Sequence, residues 1–361
     1  MEAIADVRLT KRKLRSLVTD TAKSAAAVNL VYVSDSEPGI RRTGASQKFS
    51  YVLDGKKVTD ETILQRIKSL VLPPAWQKVW ICTQENGHLQ ATGIDAAGRK
   101  QYKYHTSWTQ LRNHTKFYHL YELGKALPAI REQMEKDLAR KGLPMEKILA
   151  LIVSVMQETG IRIGNNEYEK RYGTFGLSTL KNRHVQLEGS NIRLSFKGKK
   201  GIEQDLTFRN RKLARLIRQC KEIPGKELFQ YYDEDGARHA IDSGMVNNYI
   251  KDISGGHFTA KDFRTWTGTV QALLAFKDSG CAETVTETKQ KVIAVLDAVA
   301  VHLGNTRAVC RKYYVHPALI DLYECHTIEK YLKELENIQD NTNAADLQPE
   351  EKVLMKILEK A

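Results

Sequence analysis

The sequence predicts an α+β protein of two lobes: a small β-rich front and a larger, mainly helical rear with a β island inside it. Three observations carry this reading. Turn signals punctuate β-type runs between about 29 and 107. From about 108 onward the apolar spacing becomes helical. Between 173 and 209 that helical pattern is interrupted by a short β stretch. A chain of 361 residues has room for about two domains.

In the front lobe, the run 49–53 meets Asp54-Gly55, a hairpin turn pair. The run 79–83 passes through Glu85, Asn86 and Gly87 into 89–92, a second hairpin. One helix intervenes. Asp60 caps it, Ile63, Ile67 and Leu70 share its apolar face, and Pro73-Pro74 stop it. In the rear, 111–140 reads as polar helices and 145–158 as a strongly apolar one. The island holds a strand at 192–196 and a Gly-Lys-Lys-Gly turn at 198–201. Helices follow at 211–222, 243–253, 259–277, 285–303 and from about 306. The expected organisation is a basic arm at 1–28, a β-rich domain at 29–107, a helical domain at 108–335 and a tail at 336–361.

Charge points to the partner. The net charge is +13 and the pI about 9.3, a surplus that favours a polyanion whose counterions lysine and arginine displace. The region from His326 onward holds eight acids against five bases, so the tail is a poor contact for nucleic acid. The arm contains Lys11, Arg12, Lys13 and Arg15, which suit either a DNA-touching helix or a solvated segment. Five cysteines, odd in number and without a CxxC pair, argue against a disulfide framework and a structural zinc site. No long apolar run or secretory signal is read. The expected setting is cytoplasmic, and at the nucleoid if the chain is bacterial.

Cutting a phosphodiester with a protein nucleophile needs an activated hydroxyl, fixed cationic donors for the non-bridging oxygens and an acid for the leaving alkoxide. Arg162 lies between Ile161 and Ile163 after the apolar helix, so it is expected to be partly buried and to seek an anion, whether phosphate or a structural acid. Lys199 sits at the tip of a hairpin, where it can swing to a phosphate or simply face water. Its GKKG context lacks the spacing of a P-loop. Lys261 and Arg264 lie one helical turn apart, on a functional face or a solvated one. Asn305 follows Gly304 at a helix junction, as a candidate donor or a helix cap. Tyr313 and Tyr314 suit either core packing or chemistry.

An Arg, then a hairpin Lys, then an Arg in a KDFR helix, then a Tyr towards the end resembles the type IB topoisomerases. The likeness is to their small poxvirus-like and bacterial branch. It extends through Pro73-Pro74-Ala75-Trp76, the run RKQYKYH at 99–105, Ile161-Arg162-Ile163-Gly164, the run GTFGLSTLKNRH at 173–184, Phe196-Lys197-Gly198-Lys199 and Lys312-Tyr313-Tyr314. It covers about 30 to 325. The resemblance implies a C-shaped clamp around duplex DNA, with a three-stranded island in the catalytic lobe. It implies relaxation of supercoils through a 3′-phosphotyrosyl intermediate, by one chain, without ATP, metal or other cofactor. Tyr314 would be the nucleophile, Arg162 and Arg264 would hold the phosphate, and Lys199 would protonate the 5′-oxygen. Gln101, Tyr102, Tyr104, Tyr168 and Lys261 would contact DNA.

One position departs from the pattern. Where the poxvirus-type site has histidine, nine residues before its tyrosine, this chain has Asn305. Asparagine donates a hydrogen bond but carries neither charge nor a transferable proton. Nine residues of straight helix span about 13 Å, so the chain is expected to bend between Asn305 and Tyr314. The tyrosine recombinases, with related chemistry, are the alternative. They carry HxxR at the second arginine, where this chain has Lys261-Asp262-Phe263-Arg264.

Overall fold

A computed structural model describes residues 21–45, 48–96, 98–256, 258–337 and 345–361. The basic stretch around Lys11 to Arg15 lies outside them. The chain forms two compact units, one running to His119 and the other from Leu120 to Ala361.

The first unit begins with α1 (Thr21–Ala26) and is built on a six-stranded antiparallel sheet. Its strands are β1 (Ile40–Ala45), β2 (Lys48–Leu53), β3 (Lys56–Lys57), β4 (Gln77–Ile81), β5 (Leu89–Ile94) and β6 (Lys100–Tyr104), in the order β3-β2-β1-β4-β5-β6. The hairpin at Asp54-Gly55 forms as expected, both residues at positive φ (48° and 77°). Helix α2 (Glu61–Ser69) is capped by Asp60, whose carboxylate accepts from the Thr62 and Ile63 amides. Its end differs from expectation. It stops at Ser69, before the prolines, where Val71 turns to a φ of 48°, a costly value for a β-branched residue. The Pro73-Pro74-Ala75-Trp76 motif acts instead as a loop of carbonyls: the Arg42 guanidinium donates to Pro73, Pro74 and Trp76 oxygens.

Helix α3 (Thr106–Leu138) is continuous where separate polar helices were expected, and the division between the units falls inside it. The second unit is organised around α4 (Met145–Thr159), whose residues 148–153 are all at most 2% exposed. A helix apolar on every side must be enclosed. It packs against α6 (Arg211–Glu222), α7 (Ser243–Ser254) and α8 (Ala260–Ser279). Between α5 (Asn166–Tyr172) and α6 lies the three-stranded island, β7 (Val185–Glu188), β8 (Asn191–Lys197) and β9 (Glu203–Arg209). Alternation along β8 buries Ile192, Leu194 and Phe196. A small hairpin of β10 (Gln230–Tyr232) and β11 (Arg238–Ala240) was not anticipated. Helices α9 (Val285–Leu303), α10 (Arg307–Tyr313), α11 (Pro317–Glu324) and α12 (Glu329–Asn337) follow.

The region set apart as a tail ends in α13 (Pro349–Lys360), which buries Val353, Leu354, Ile357 and Leu358. Its Glu351 is 5% exposed and forms a two-pronged pair with Arg131, both contacts at 2.7 Å. Trp266 Nε1 donates to the same carboxylate at 2.8 Å. Burial works to raise the Glu351 pKa, but Arg131 and these donors outweigh it and hold the carboxyl below its ordinary range. A depressed carboxyl pKa gives stability that is complete above the unfolded value and lost as pH falls through the folded one. Glu351→Gln should therefore cost about 3–5 kcal/mol at neutral pH by leaving the largely enclosed Arg131 charge without a counter-ion, held only by Gln157 and the Asp346 carbonyl. In denaturant titrations, that deficit should shrink only as the pH falls below the ordinary glutamate value of about 4.3 and through the depressed one.

Candidate active site

Arg162 follows the end of α4, where Gly160 turns left-handed at a φ of 62°. The segment after it is fastened by its backbone. Arg162 O accepts from Leu177 N at 2.8 Å, and Ile163 O accepts from Ser178 N at 2.6 Å. A Cβ on Gly176 would lie 2.5 Å from Arg162 O and from Gly164 N, so the glycines of the 161–164 and 173–176 motifs permit this close approach.

The side chain of Arg162 leads to the corner after α9. Its Nη2 donates to Asn305 Oδ1 at 2.6 Å and its Nη1 to Gly304 O at 3.3 Å. Arg264, on α8 and 3% exposed, donates through Nη2 to Leu303 O at 3.0 Å. An acid partner was one expectation for a buried arginine. Among the described residues neither arginine has a carboxylate partner; both rest on carbonyls. Those carbonyls belong to the C-terminal end of α9, which carries a partial negative charge. Burial first, and then the charge of Arg162, push the Arg264 pKa down.

The chain bends at Asn305 itself, and α10 runs from there to Tyr314. Gly304 takes a φ of 57°, α9 and α10 meet at 93°, and Asn305 lies between them. Thr306, not Asn305, caps α10, accepting from Val309 N. The Asn305 amide is thus free of capping duty, and its Nδ2 is buried without a hydrogen-bond partner, as is Arg264 Nε.

Tyr314 follows α10 directly, its amide donating to Cys310 O at 2.9 Å. Its carbonyl accepts from Thr269 Oγ1 at 3.2 Å. A Cβ on Gly268 would meet that carbonyl at 2.7 Å, so α8 needs a glycine to receive the tyrosine. Arg264 Cζ lies 5.3 Å from the centre of the Tyr314 ring. The neighbouring Tyr313 ring is instead approached by Lys312 Nζ, at 5.3 Å.

Lys199 occupies the connection between β8 and β9, which Lys200 turns at a φ of 63°. Although it reaches solvent, nearby protein mass first, then Arg162, lower its ammonium pKa, with Lys200 and Arg264 adding to the effect. The structure thus gathers Arg162, Lys199, Arg264, Asn305 and Tyr314 in one region of the second unit. Lys261 is exposed in the first turn of α8. Tyr168 is exposed on α5 beside Tyr172. In the first unit, Tyr102 and Tyr104 stand exposed and stacked 6.0 Å apart on β6, while Gln101 donates to Asp95.

Sequence reasoning missed two neighbours within this region and one aromatic pair in the first unit. Gln204 on β9 lies against Gly304, His302 holds a buried Nε2 without a partner, and exposed Tyr32 stacks on His88 at 4.2 Å. Period-two alternation marks Gln204 only as the face of β9 opposite Asp205. Nothing local marks the other two. Among the described residues, no group of three or more His, Cys, Asp and Glu side chains is placed to share a metal ion.

Residues 105–342 match the family profile of the eukaryotic DNA topoisomerase I catalytic core, and residues 48–95 that of the bacterial DNA topoisomerase IB N-terminal domain. A DNA topoisomerase 1B of Acanthamoeba polyphaga mimivirus is 32% identical over 295 residues, 79% of this chain and 88% of that protein. DNA topoisomerase 1 of Rabbit fibroma virus (strain Kasza) is 24% identical, covering 68% and 75%. DNA topoisomerase 1B of Vaccinia virus (strain Copenhagen) is 22% identical, covering 64% and 71%. With its cationic cluster, single adjoining tyrosine and these matches along both units, the chain belongs to the type IB DNA topoisomerases.

Proposed function

We propose that this enzyme relaxes supercoiled duplex DNA by transient cleavage of one strand, with Tyr314 as the nucleophile. The observation that carries the assignment is a tyrosine beside three cationic side chains, with buried donors on Asn305 and Arg264 that no acceptor fills among the described residues. Such a cluster is costly in isolation and suits a phosphate, whose non-bridging oxygens gain charge in the transition state.

The Tyr314 hydroxyl gives its proton to solvent, and its oxygen bonds to phosphorus as the bond to the 5′-oxygen breaks. The departing alkoxide takes a proton from the Lys199 ammonium. Arg162, Arg264 and Asn305 donate to the phosphate throughout. The product is a 3′-phosphotyrosine and a free 5′-hydroxyl, which can rotate before the same steps run backwards. One phosphoester is exchanged for another, so resealing requires no ATP, and cationic side chains fill the role of a metal. Gln101, Tyr102, Tyr104, Tyr168 and Lys261 contact the duplex. One chain carries all five catalytic groups and acts as a monomer, in the cytoplasm or at the nucleoid.

Supercoiled plasmid should relax in EDTA without ATP, and an SDS-resistant DNA adduct should form with the parent protein but not with Tyr314→Phe. Supercoils that persist until magnesium is supplied would refute the metal-free mechanism. Asn305→Ala should slow cleavage about 10²- to 10³-fold, as expected for a lost transition-state donor. Asn305→His should keep or raise the rate, because it restores a donor able to carry charge. Lys199 donates only below its pKa, which its neighbours lower. Single-turnover cleavage should therefore decline with rising pH through a value below that of an ordinary lysine.

A further inference from the structure

Two glycines flank two of the proposed catalytic residues, and one side chain accounts for both. Gly198 precedes Lys199, and Gly304 precedes Asn305. A Cβ on Gly304 would fall 2.4 Å from Gln204 Nε2 and 2.7 Å from its Oε1. A Cβ on Gly198 would fall 3.1 Å from Gln204 Cγ. Gly304 also needs its φ of 57°, but Gly198, at a φ of −88°, has no conformational need to be glycine. Its other close neighbour is Ile202 O, at 3.2 Å. The stem of Gln204 therefore fills the space beside the hairpin tip, and its amide fills the space over the corner.

Gln204 stands on β9 paired with Phe196 on β8, two residues before Gly198. Phe196 is anchored in the core at 5% exposure, so the backbone beneath Gln204 is fixed while the tip beyond it extends into solvent. Among the described residues the Gln204 amide has one hydrogen bond, a long one of 3.3 Å from Nε2 to Glu203 O. A polar side chain lying between two proposed catalytic residues, with so little hydrogen bonding of its own, is poorly explained as mere hairpin structure.

We infer that Gln204 is a positioning residue, wedged between the β8–β9 tip and the α9–α10 corner so that Lys199 is held over the phosphate that Asn305 binds. This rests on the assignment of Lys199 as the proton donor to the 5′-oxygen. The test follows from that role, because a leaving group that departs without a proton has no use for a well-placed acid. Single-turnover cleavage would be measured on matched duplexes, one with the ordinary 5′-oxygen at the scissile bond and one with a bridging 5′-sulfur.

Gln204→Ala should slow cleavage of the oxygen substrate by about 10- to 100-fold, the effect of displacing a catalytic group by about 1 Å. DNA affinity should stay within about threefold, and the sulfur substrate should be cut at close to the parent rate. Gln204→Met keeps the filling volume without the amide and should restore most of the lost rate if packing sets the position. Equal losses on both substrates from a folded Gln204→Ala protein would overturn the inference, as would no loss on either. If the parent protein cleaves neither duplex, the assignment of the site itself fails, and with it the role of Gln204.

Discussion

Two like-charged guanidinium groups share one buried neighbourhood, and the C-terminal end of α9 makes that tolerable. A helix ends with carbonyls that have no amide partner and a partial negative charge spread over its last turn. Here Leu303 O receives Arg264 and Gly304 O receives Arg162. A carboxylate in the same place would neutralise the charge that the proposed phosphate contact needs. Carbonyls fix the direction of each guanidinium and leave its positive charge largely uncompensated, as the lowered Arg264 pKa records.

Much of the second unit serves that arrangement. Apolar α4 is enclosed by its neighbours and delivers Arg162 at its end, beyond Gly160. Helix α8 places Arg264 on its buried face and opens at Gly268 to receive Tyr314. Trp266, between them in sequence, is tied through Glu351 to Arg131, so α8 is held from the far side by the last helix. The family profile for the catalytic core ends at 342, before that helix begins. The brace therefore reaches beyond the residues that the profile matches.

What could be read in advance was local. Helix α9 was expected at 285–303 and occupies those residues, because capping and apolar spacing mark both ends. The Asp60 cap, the Asp54-Gly55 turn and the hairpin under Lys199 were legible for the same reason. The apolar residues of helix α3 follow no steady stripe, so its sequence reads as separate pieces. The terminal helix α13 had a readable pattern in Val353, Leu354, Ile357 and Leu358 that the acidic composition around it obscured. Gln204 could not be singled out, since its importance depends on two glycines, one six residues before it and one a hundred after it, that only the fold brings to it.

The anchorage of the arginines has a consequence for how such a site withstands mutation. A carbonyl oxygen is supplied by every amino acid, so no single substitution at 303 or 304 can delete the acceptors. What substitution can disturb is the corner: a side chain at 304 would change where the carbonyls point. The two arginines are thus insured against chemical change in their backbone acceptors and vulnerable to a change of shape at Gly304, while Asn305 Oδ1 is a side-chain acceptor of Arg162 that a substitution can remove.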